Sequence, residues 1–226
     1  RAADSFVAIT PDIARYLAGQ GVPENKIRQI NNFAETESVT MALRRSDFNT
    51  PENAPLLLAL GRLHKAKAFD TLIKALHGIP DVYLWIAGEG PERKNLEKLI
   101  EELDVKDRIK LLGWRNDRAA LFQACDMCIF PSRYEPFGTV FVQAWAQSKP
   151  LIVSDAAGPR QYVRADEDGL VVSIDDVEAM KNAIGKLAHN KELQMKLAEN
   201  GYCRYRQEFT KEKTIQSYLE LYHSLL

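Results

Sequence analysis

The sequence is poor in cysteine, with three in 226 residues. That is too few for a disulfide framework, which suits a reducing compartment and leads us to expect a cytoplasmic protein. It has no excess of either charge: 30 Lys and Arg stand against 31 Asp and Glu, for a net charge of −1. The signs are interspersed, so the basic stripe that meets a phosphate backbone is missing and no nucleic-acid partner is expected. No apolar run approaches the ~18 residues of a membrane-spanning helix. The longest clean run, 56–60, has the length of a strand. Internal repeats and low-complexity segments are absent. So are the Gly-x4-Gly-Lys-Ser/Thr loop, the Gly-x-Ser-x-Gly elbow and the His-Glu-x2-His helix. Cys125-x2-Cys128 has no second pair, and Cys203, His64, His77, His189 and His223 show no ligand spacing. The pair therefore reads as small core residues, and no metal is expected. Arg1 is not an initiator Met and no signal-peptide apolar region follows it, so the start reads as that of a fragment or a processed chain.

What is present is an ordinary globular composition, 46% hydrophobic and 27% charged. At roughly 150 residues per domain the chain holds one large α/β unit with a terminal extension. A short strand over 4–9 leads into Thr10-Pro11-Asp12, an N-cap, a first helical residue and an acid that suits the helix dipole. A second strand is expected at 26–30, and 33–55 reads as a connector. From there short, mostly apolar runs of three to five residues (56–60, 83–87, 108–112, 127–130, 151–153) alternate with helical patterns (70–76, 92–103, 118–124, 139–146). Leu96, Leu99, Ile100 and Leu103 repeat at helical spacing, with Lys94, Glu97, Lys98, Glu101 and Glu102 toward water. A last strand at 170–172 precedes helices near 177–188, near 192–200 and after Thr210, the last with Ile215, Tyr218, Leu219 and Leu226 as its apolar side. Fully apolar strands between helices imply a Rossmann-like, doubly wound parallel sheet with helices on both faces and a C-terminal helical tail. Ligands of such sheets sit at the carboxyl ends of the strands.

The loops at those ends carry the chemistry. Gly61 lets the backbone approach a ligand, and Arg62, Lys65 and Lys67 follow it within six positions, implying an anion such as a diphosphate. Ala87-Gly88-Glu89-Gly90-Pro91 opens a helix, but Arg93 stands where a dinucleotide fingerprint needs its third glycine. A structural turn and direct ligand contact both stay open there. Gly113-Trp114-Arg115 could give backbone groups and an apolar wall to a nucleobase, and Trp114 could equally serve packing. In Pro131-Ser132-Arg133-Tyr134-Glu135-Pro136-Phe137-Gly138-Thr139-Val140, a carboxylate precedes a helix start whose free amides suit an anion, and Gln143 lies one turn further on the same face. Glu135 would meet the hydroxyl-rich part of a ligand, accepting sugar hydroxyls or stabilising positive charge at a reacting carbon.

Gly61-Arg62-Leu63-x3-Lys67 with Phe69-Asp70-x-Leu72-Ile73, Ala87-Gly88-Glu89-Gly90-Pro91, Leu112-Gly113 and Pro131-Ser132-x2-Glu135-Pro136-Phe137-Gly138, in that order, resemble the C-terminal, donor-binding domain of retaining family 4 glycosyltransferases of GT-B fold. The likeness covers nearly the whole chain. It implies that Arg62 and Lys67 bind the diphosphate of a nucleoside-diphosphate sugar, that Glu135 contacts the donor sugar, and that Gly138, Thr139 and Val140 offer amides. It also implies that Gly113, Trp114 and Arg115 border the base. Catalytic roles fall to Glu135, Arg62 and Lys67, and Gly61, Phe137 and Gln143 complete the donor site. The charge carried by Arg62, Lys67 and the amides implies no obligatory metal. Glu-Pro-Phe-Gly with Ala144-Trp145-Ala146 and Ala157-Gly158-Pro159-Arg160 looks most like bacterial enzymes of lipopolysaccharide or other surface-glycan assembly. The partners implied are then a glycan or lipid-linked hydroxyl acceptor and, at the cytoplasmic face of the inner membrane, peripheral contact through Arg204, Arg206, Lys211 and Lys213.

The chain also departs from the family pattern. Gln143 and Gln161 replace glutamates, and Ala68 replaces a common Gly, which would need the backbone there to stay at negative φ. The resemblance also implies an N-terminal acceptor domain, which this sequence is not expected to include. Residues 1–50 are expected to be a hinge-proximal strand–helix segment and connector, 51–208 the donor-binding domain, and 209–226 a helix that crosses back. Alternatives are a weakened nucleotide-sugar binding module, or a phosphorylase or epimerase of the same architecture.

Overall fold

The computed structural model describes residues 3–35, 39 and 41–226. Arg1-Ala2 at the chain start, and positions 36–38 and 40 of the expected connector, lie outside them. The elements run β1 Phe6–Ala8, α1 Pro11–Gly19, β2 Ile27–Gln29, β3 Leu56–Leu60, α2 Phe69–His77, β4 Tyr83–Ala87, α3 Arg93–Glu102, β5 Ile109–Gly113, α4 Arg118–Ala124, β6 Met127–Phe130, α5 Thr139–Ala146, β7 Leu151–Ser154, β8 Leu170–Val172, α6 Val177–Ala188, α7 Lys191–Glu208 and α8 Lys211–His223. The six strands β3 to β8 form one parallel sheet in the order β5-β4-β3-β6-β7-β8. From β3 the chain first builds outward through β4 and β5, then returns to place β6 on the other side of β3. The strand order therefore reverses between β3 and β6, and a crevice opens there at the carboxyl edge.

Alternation along the strands divides the core into two faces. Leu57 and Ala59 join α2, α3 and α6 through Leu72, Leu96 and Ile184, whereas Leu56, Leu58 and Leu60 join the other face with Leu121, Phe141 and Trp145. Burial of both faces explains why the strands read as continuous apolar runs. Cys125 and Cys128 belong to this second face, and burial pushes the Cys125 thiol up to about 12 and the Cys128 thiol upward as well. They are core residues, as their spacing without a second pair suggests. A rosette of Phe137, Phe141, Trp145, Tyr162 and Phe209 anchors α5 and α7 on this side.

The starts of α1, α6, α7 and α8 are set by side-chain caps, since the first-turn amides lack partners inside the helix. Thr10 accepts from Ile13 N–H at 3.2 Å, Asp176 from Ala179 at 2.8 Å, Asn190 from Leu193 at 2.9 Å and Thr210 from Lys213 at 3.3 Å. The helix expected over 192–200 is longer, running to Glu208. α8 turns Thr214 and Leu221 inward and leaves Ile215 and Leu219 about half exposed. The apolar side read from its sequence therefore faces away from the described core.

The N-terminal segment forms a separate parallel pair, β1 with β2. It is fastened to the sheet domain by Tyr162, whose hydroxyl donates to Ile9 C=O at 3.0 Å, by Tyr205 to Ala34 C=O at 3.1 Å and by Thr214 to Asn31 C=O at 3.0 Å. Gln161 adds a link that a glutamate could not make in full. Its amide oxygen accepts from Asp12 N–H at 2.8 Å while its amide nitrogen donates to the Ala157 carbonyl. The connector is also bound: Arg45 donates to Ala124 and Ala54 carbonyls at 2.9 and 2.8 Å, and Trp85 donates to Thr50 Oγ1 at 2.9 Å.

Candidate functional site

The crevice between β3 and β6 is built by the loops that leave them. After β3, Gly61 N–H donates to Ala87 C=O at 3.1 Å and Leu63 N–H to Glu89 C=O at 3.0 Å, so this loop lies backbone against backbone on the loop after β4. That contact is why the second loop needs glycine. A Cβ on Gly88 would stand 1.9 Å from the Gly61 carbonyl oxygen, and one on Gly90 would stand 2.3 Å from that of Leu63. Gly88 and Gly90 are thus a structural buttress for the Gly61 loop, as the turn reading of this segment expects. Gly88 N–H in turn donates to Gly113 C=O at 2.8 Å, so the loop after β5 is braced in the same row.

Beside Gly61 lies a cleft of about 310 Å³ lined by Leu60, Gly61, Arg62, Ala87, Trp114, Arg115, Asn116, Arg118, Thr139, Val140 and Gln143. Seven residues singled out in the sequence for the donor site meet here: Gly61, Arg62, Trp114, Arg115, Thr139, Val140 and Gln143. Trp114 is 75% exposed and its indole N–H donates to Asn116 Oδ1 at 2.9 Å, so its ring is part of the cleft mouth and not of the core. Three arginines and no carboxylate line the cleft, which makes it cationic. Arg115 is oriented by Asp117 at 2.8 Å, and this hydrogen bond holds the Asp117 carboxyl below the usual carboxylate range. Arg118 and Asn116 were missed by the sequence reading, because a basic residue opening a helix and a loop asparagine carry no signal of what they face.

Lys67, Glu135 and Gly138 adjoin the cleft without lining it. Lys67 and Glu135 form an ion pair, with side chains only 20% and 16% exposed, and the Lys67 ammonium also sits 5.0 Å over the Phe130 ring. A Cβ on Gly61 would be 3.4 Å from Lys67 Cε, so the pair begins where the cleft ends. Gly138 takes φ +90° at the start of α5, and a Cβ there would meet Phe130 at 2.6 Å and Glu135 Cγ at 2.9 Å. No side chain caps α5. Its first-turn amides lie at the positive end of the helix dipole, a geometry that suits an anion.

Phe137 is 3% exposed and packs on Phe141 and Tyr162, so its side chain belongs to the core. One expectation about the backbone is corrected. Ala68 is at φ +52°, not negative φ: the left-handed turn that opens α2 is kept although the residue has a Cβ. The packing of Phe69 and Leu72 that follows the turn, both buried, outweighs the ~1–2 kcal/mol strain of that conformation. Gly113 is in the supporting row and does not line the cleft. His64 is exposed and caps its own turn, accepting from Ala66 N–H at 3.2 Å. Of the basic residues considered for surface contact, Lys211 pairs with Glu35 at 2.7 Å and Arg204 with Asp168 at 3.0 Å.

Comparison with known proteins fits this geometry. The family profile described as Glycosyl transferases group 1 matches residues 41–204. The chain is 37% identical over 221 residues to the lipopolysaccharide core biosynthesis glycosyltransferase LpsE of Rhizobium meliloti, a match that spans 98% of this chain and 64% of that protein. It is 33% identical over 218 residues to LpsD of the same organism, spanning 96% of this chain and 63% of that protein. Sucrose-phosphate synthase from Thermosynechococcus elongatus has the same fold at a TM-score of 0.87 and 28% identity, covering 99% of this chain and 59% of that one. Anabaena HepE in complex with UDP and glucose gives 0.85 at 22% identity, covering 99% of this chain and 63% of that one. The chain thus spans less than two thirds of the length of these relatives. Matched over most of its length by the profile, and along nearly all of it by close relatives, the chain belongs to the glycosyl transferases group 1 family.

Proposed function

We propose that this chain is the donor-binding half of a retaining family 4 glycosyltransferase that takes a nucleoside-diphosphate sugar and, with an N-terminal acceptor domain, transfers the sugar to a hydroxyl of a glycan or lipid-linked acceptor in lipopolysaccharide assembly. The observation that carries the reading is the cationic cleft at the strand-order reversal, continuous with the Lys67–Glu135 pair and the uncapped start of α5. In this reading the base lies against Trp114 and the loop after β5, and the ribose against Gln143. The diphosphate is held by Arg62, Lys67 and the amides of Gly138, Thr139 and Val140. As the bond from the anomeric carbon to the diphosphate breaks and the bond to the acceptor oxygen forms, the hydroxyl proton passes to the departing diphosphate, and those cations and amides receive the charge of the leaving group, a role a divalent metal would otherwise fill. The phosphate draws Lys67 from Glu135, and the released carboxylate is then free for the sugar hydroxyls or for charge at the anomeric carbon. Residues 1–50 act as the hinge-proximal segment, 51–208 as the donor domain and 209–226 as the crossing helix, whose exposed Ile215 and Leu219 meet the acceptor domain. Work on such an acceptor sets the protein at the cytoplasmic face of the inner membrane.

Calorimetric titration with UDP, GDP and ADP tests the reading, UDP first because HepE carries it. At least one should bind at micromolar to submillimolar level. Arg62→Ala and Lys67→Ala should each weaken it about tenfold or more, the worth of one charge-assisted hydrogen bond, while Glu135→Ala spares the nucleoside diphosphate. No binding at millimolar concentration would overturn the assignment.

A further inference from the structure

Arg133 stands between the loop that carries Lys67 and the loop that carries Glu135, yet it touches neither side chain. Its guanidinium donates to both carboxylate oxygens of Asp70 at 2.9 and 2.8 Å, to Thr71 Oγ1 at 3.0 Å, to Asp175 at 2.8 Å and to the Lys65 carbonyl at 2.6 Å. Its own N–H donates to Ala66 C=O at 2.8 Å, and Thr71 closes the network by donating to Asp175 at 2.7 Å. The residue two places before Glu135 thus grips the carbonyls of the two residues just before Lys67. The lysine and the glutamate are 68 positions apart in sequence, so no local rule sets their separation.

Only a planar fork with five donors can serve these acceptors at once, and a lysine cannot. The network is also polarised as a clamp should be. The Arg133 hydrogen bond holds the Asp175 carboxyl below its ordinary range, and at Asp70 burial pushes upward but Arg133 and the backbone amides of Asp70 and Thr71 together hold the carboxyl below it. Lys74 is the other cation that faces Asp175.

We infer that Arg133 is a positioning residue that presets the spacing of Lys67 and Glu135, and so the junction of the diphosphate and sugar subsites. The inference rests on the reading above in assigning phosphate to Lys67. A brace that served stability alone would lower the melting temperature and weaken all nucleotides alike. A positioning residue acts selectively on ligands that reach Lys67.

The test titrates the 226-residue chain and its Arg133→Gln and Arg133→Lys variants with UMP and UDP, beside thermal melts. Both variants should lose UDP affinity about tenfold or more while UMP changes less than about threefold, since only the second phosphate reaches Lys67. Equal loss on both nucleotides, or unchanged UDP affinity with a lowered melting temperature, would leave Arg133 a structural brace and overturn the inference. Should Arg133→Gln not fold, Asp175→Asn removes one acceptor at a half-exposed side chain. A smaller shift of the same UDP-to-UMP ratio supports the inference, and an unmoved ratio overturns it. A ligand-free readout separates this from failure of the functional reading. Acetylation of Lys67, followed by mass spectrometry against the 76% exposed Lys98, should accelerate at least tenfold in Arg133→Gln. An unchanged rate sinks the clamp even if nucleotide binds. A wild-type chain that binds neither UMP nor UDP removes the functional reading while the Lys67 rate still decides the clamp.

Discussion

Two glycine-bearing loops leave neighbouring strands at the same sheet edge, and they do opposite things. The loop after β3 turns Gly61 and Arg62 toward the cleft. The loop after β4 turns Gly88 and Gly90 toward the backbone of the first loop. Both glycines at the strand ends have nearly the same backbone, φ +154° and +155°, so conformation does not tell them apart. What differs is the neighbour. A Cβ on Gly61 would meet only the flexible end of Lys67 at 3.4 Å, whereas one on Gly88 would enter a carbonyl at 1.9 Å. A glycine at a strand end therefore marks close backbone approach, and only the packing says whether a ligand or the protein itself approaches.

The sharpest way to break this comparison is a pair of substitutions. Gly88→Ala should cost more than about 3 kcal/mol, combining backbone strain with a clash that cannot relax. Gly61→Ala should cost about 1–3 kcal/mol from strain alone. Urea denaturation of both variants decides it, and equal losses would show that Gly88 is no buttress.

The rim loop has a second support on its other side, the Arg133 network, and pH probes it. A folded-state carboxyl held below its unfolded value, about 3.9 for Asp, adds stability that is complete above that value and is lost as pH falls through the folded one. The difference in melting temperature between wild type and Asp175→Asn should hold steady from about pH 8 to 5 and close below about pH 4. A difference that closes near neutrality would place the ionisation elsewhere.

The smallest effect is expected where the rim loop ends. Ala68→Gly relieves about 1 kcal/mol of left-handed strain but adds unfolded-state freedom of about the same size and removes a buried methyl. Stability should stay within about 1 kcal/mol of wild type in the same denaturation experiment. A large loss would mean that the Ala68 methyl packs more tightly than its strain costs.

Much of this was legible from local pattern. Strands of five apolar residues, the Thr10-Pro11-Asp12 start and the cationic run after Gly61 each depend on neighbours in sequence. What was not legible has one cause. Phe137 sits in the donor motif but is drawn into an aromatic rosette made with Tyr162 and Phe209, distant in sequence. The positive φ of Ala68 is fixed by packing that no propensity reports. Arg118 and Asn116 join the cleft only because β5 and β3 end on the same edge. Gln161 accepts from Asp12 across 149 positions while donating to Ala157 four residues back, a link visible only once Asp12 lay beside it.

By itself the sequence determined the doubly wound class, the places where strands and helices begin, and the cationic and polar residue types gathered at the strand ends, because period, capping and charge are local properties of the chain. Only the tertiary structure decided which glycines brace and which line the cleft, that Lys67 meets Glu135, and that Arg133 fixes their separation. Those relations are set by strand order and by contacts between residues far apart in the chain, which no local period encodes.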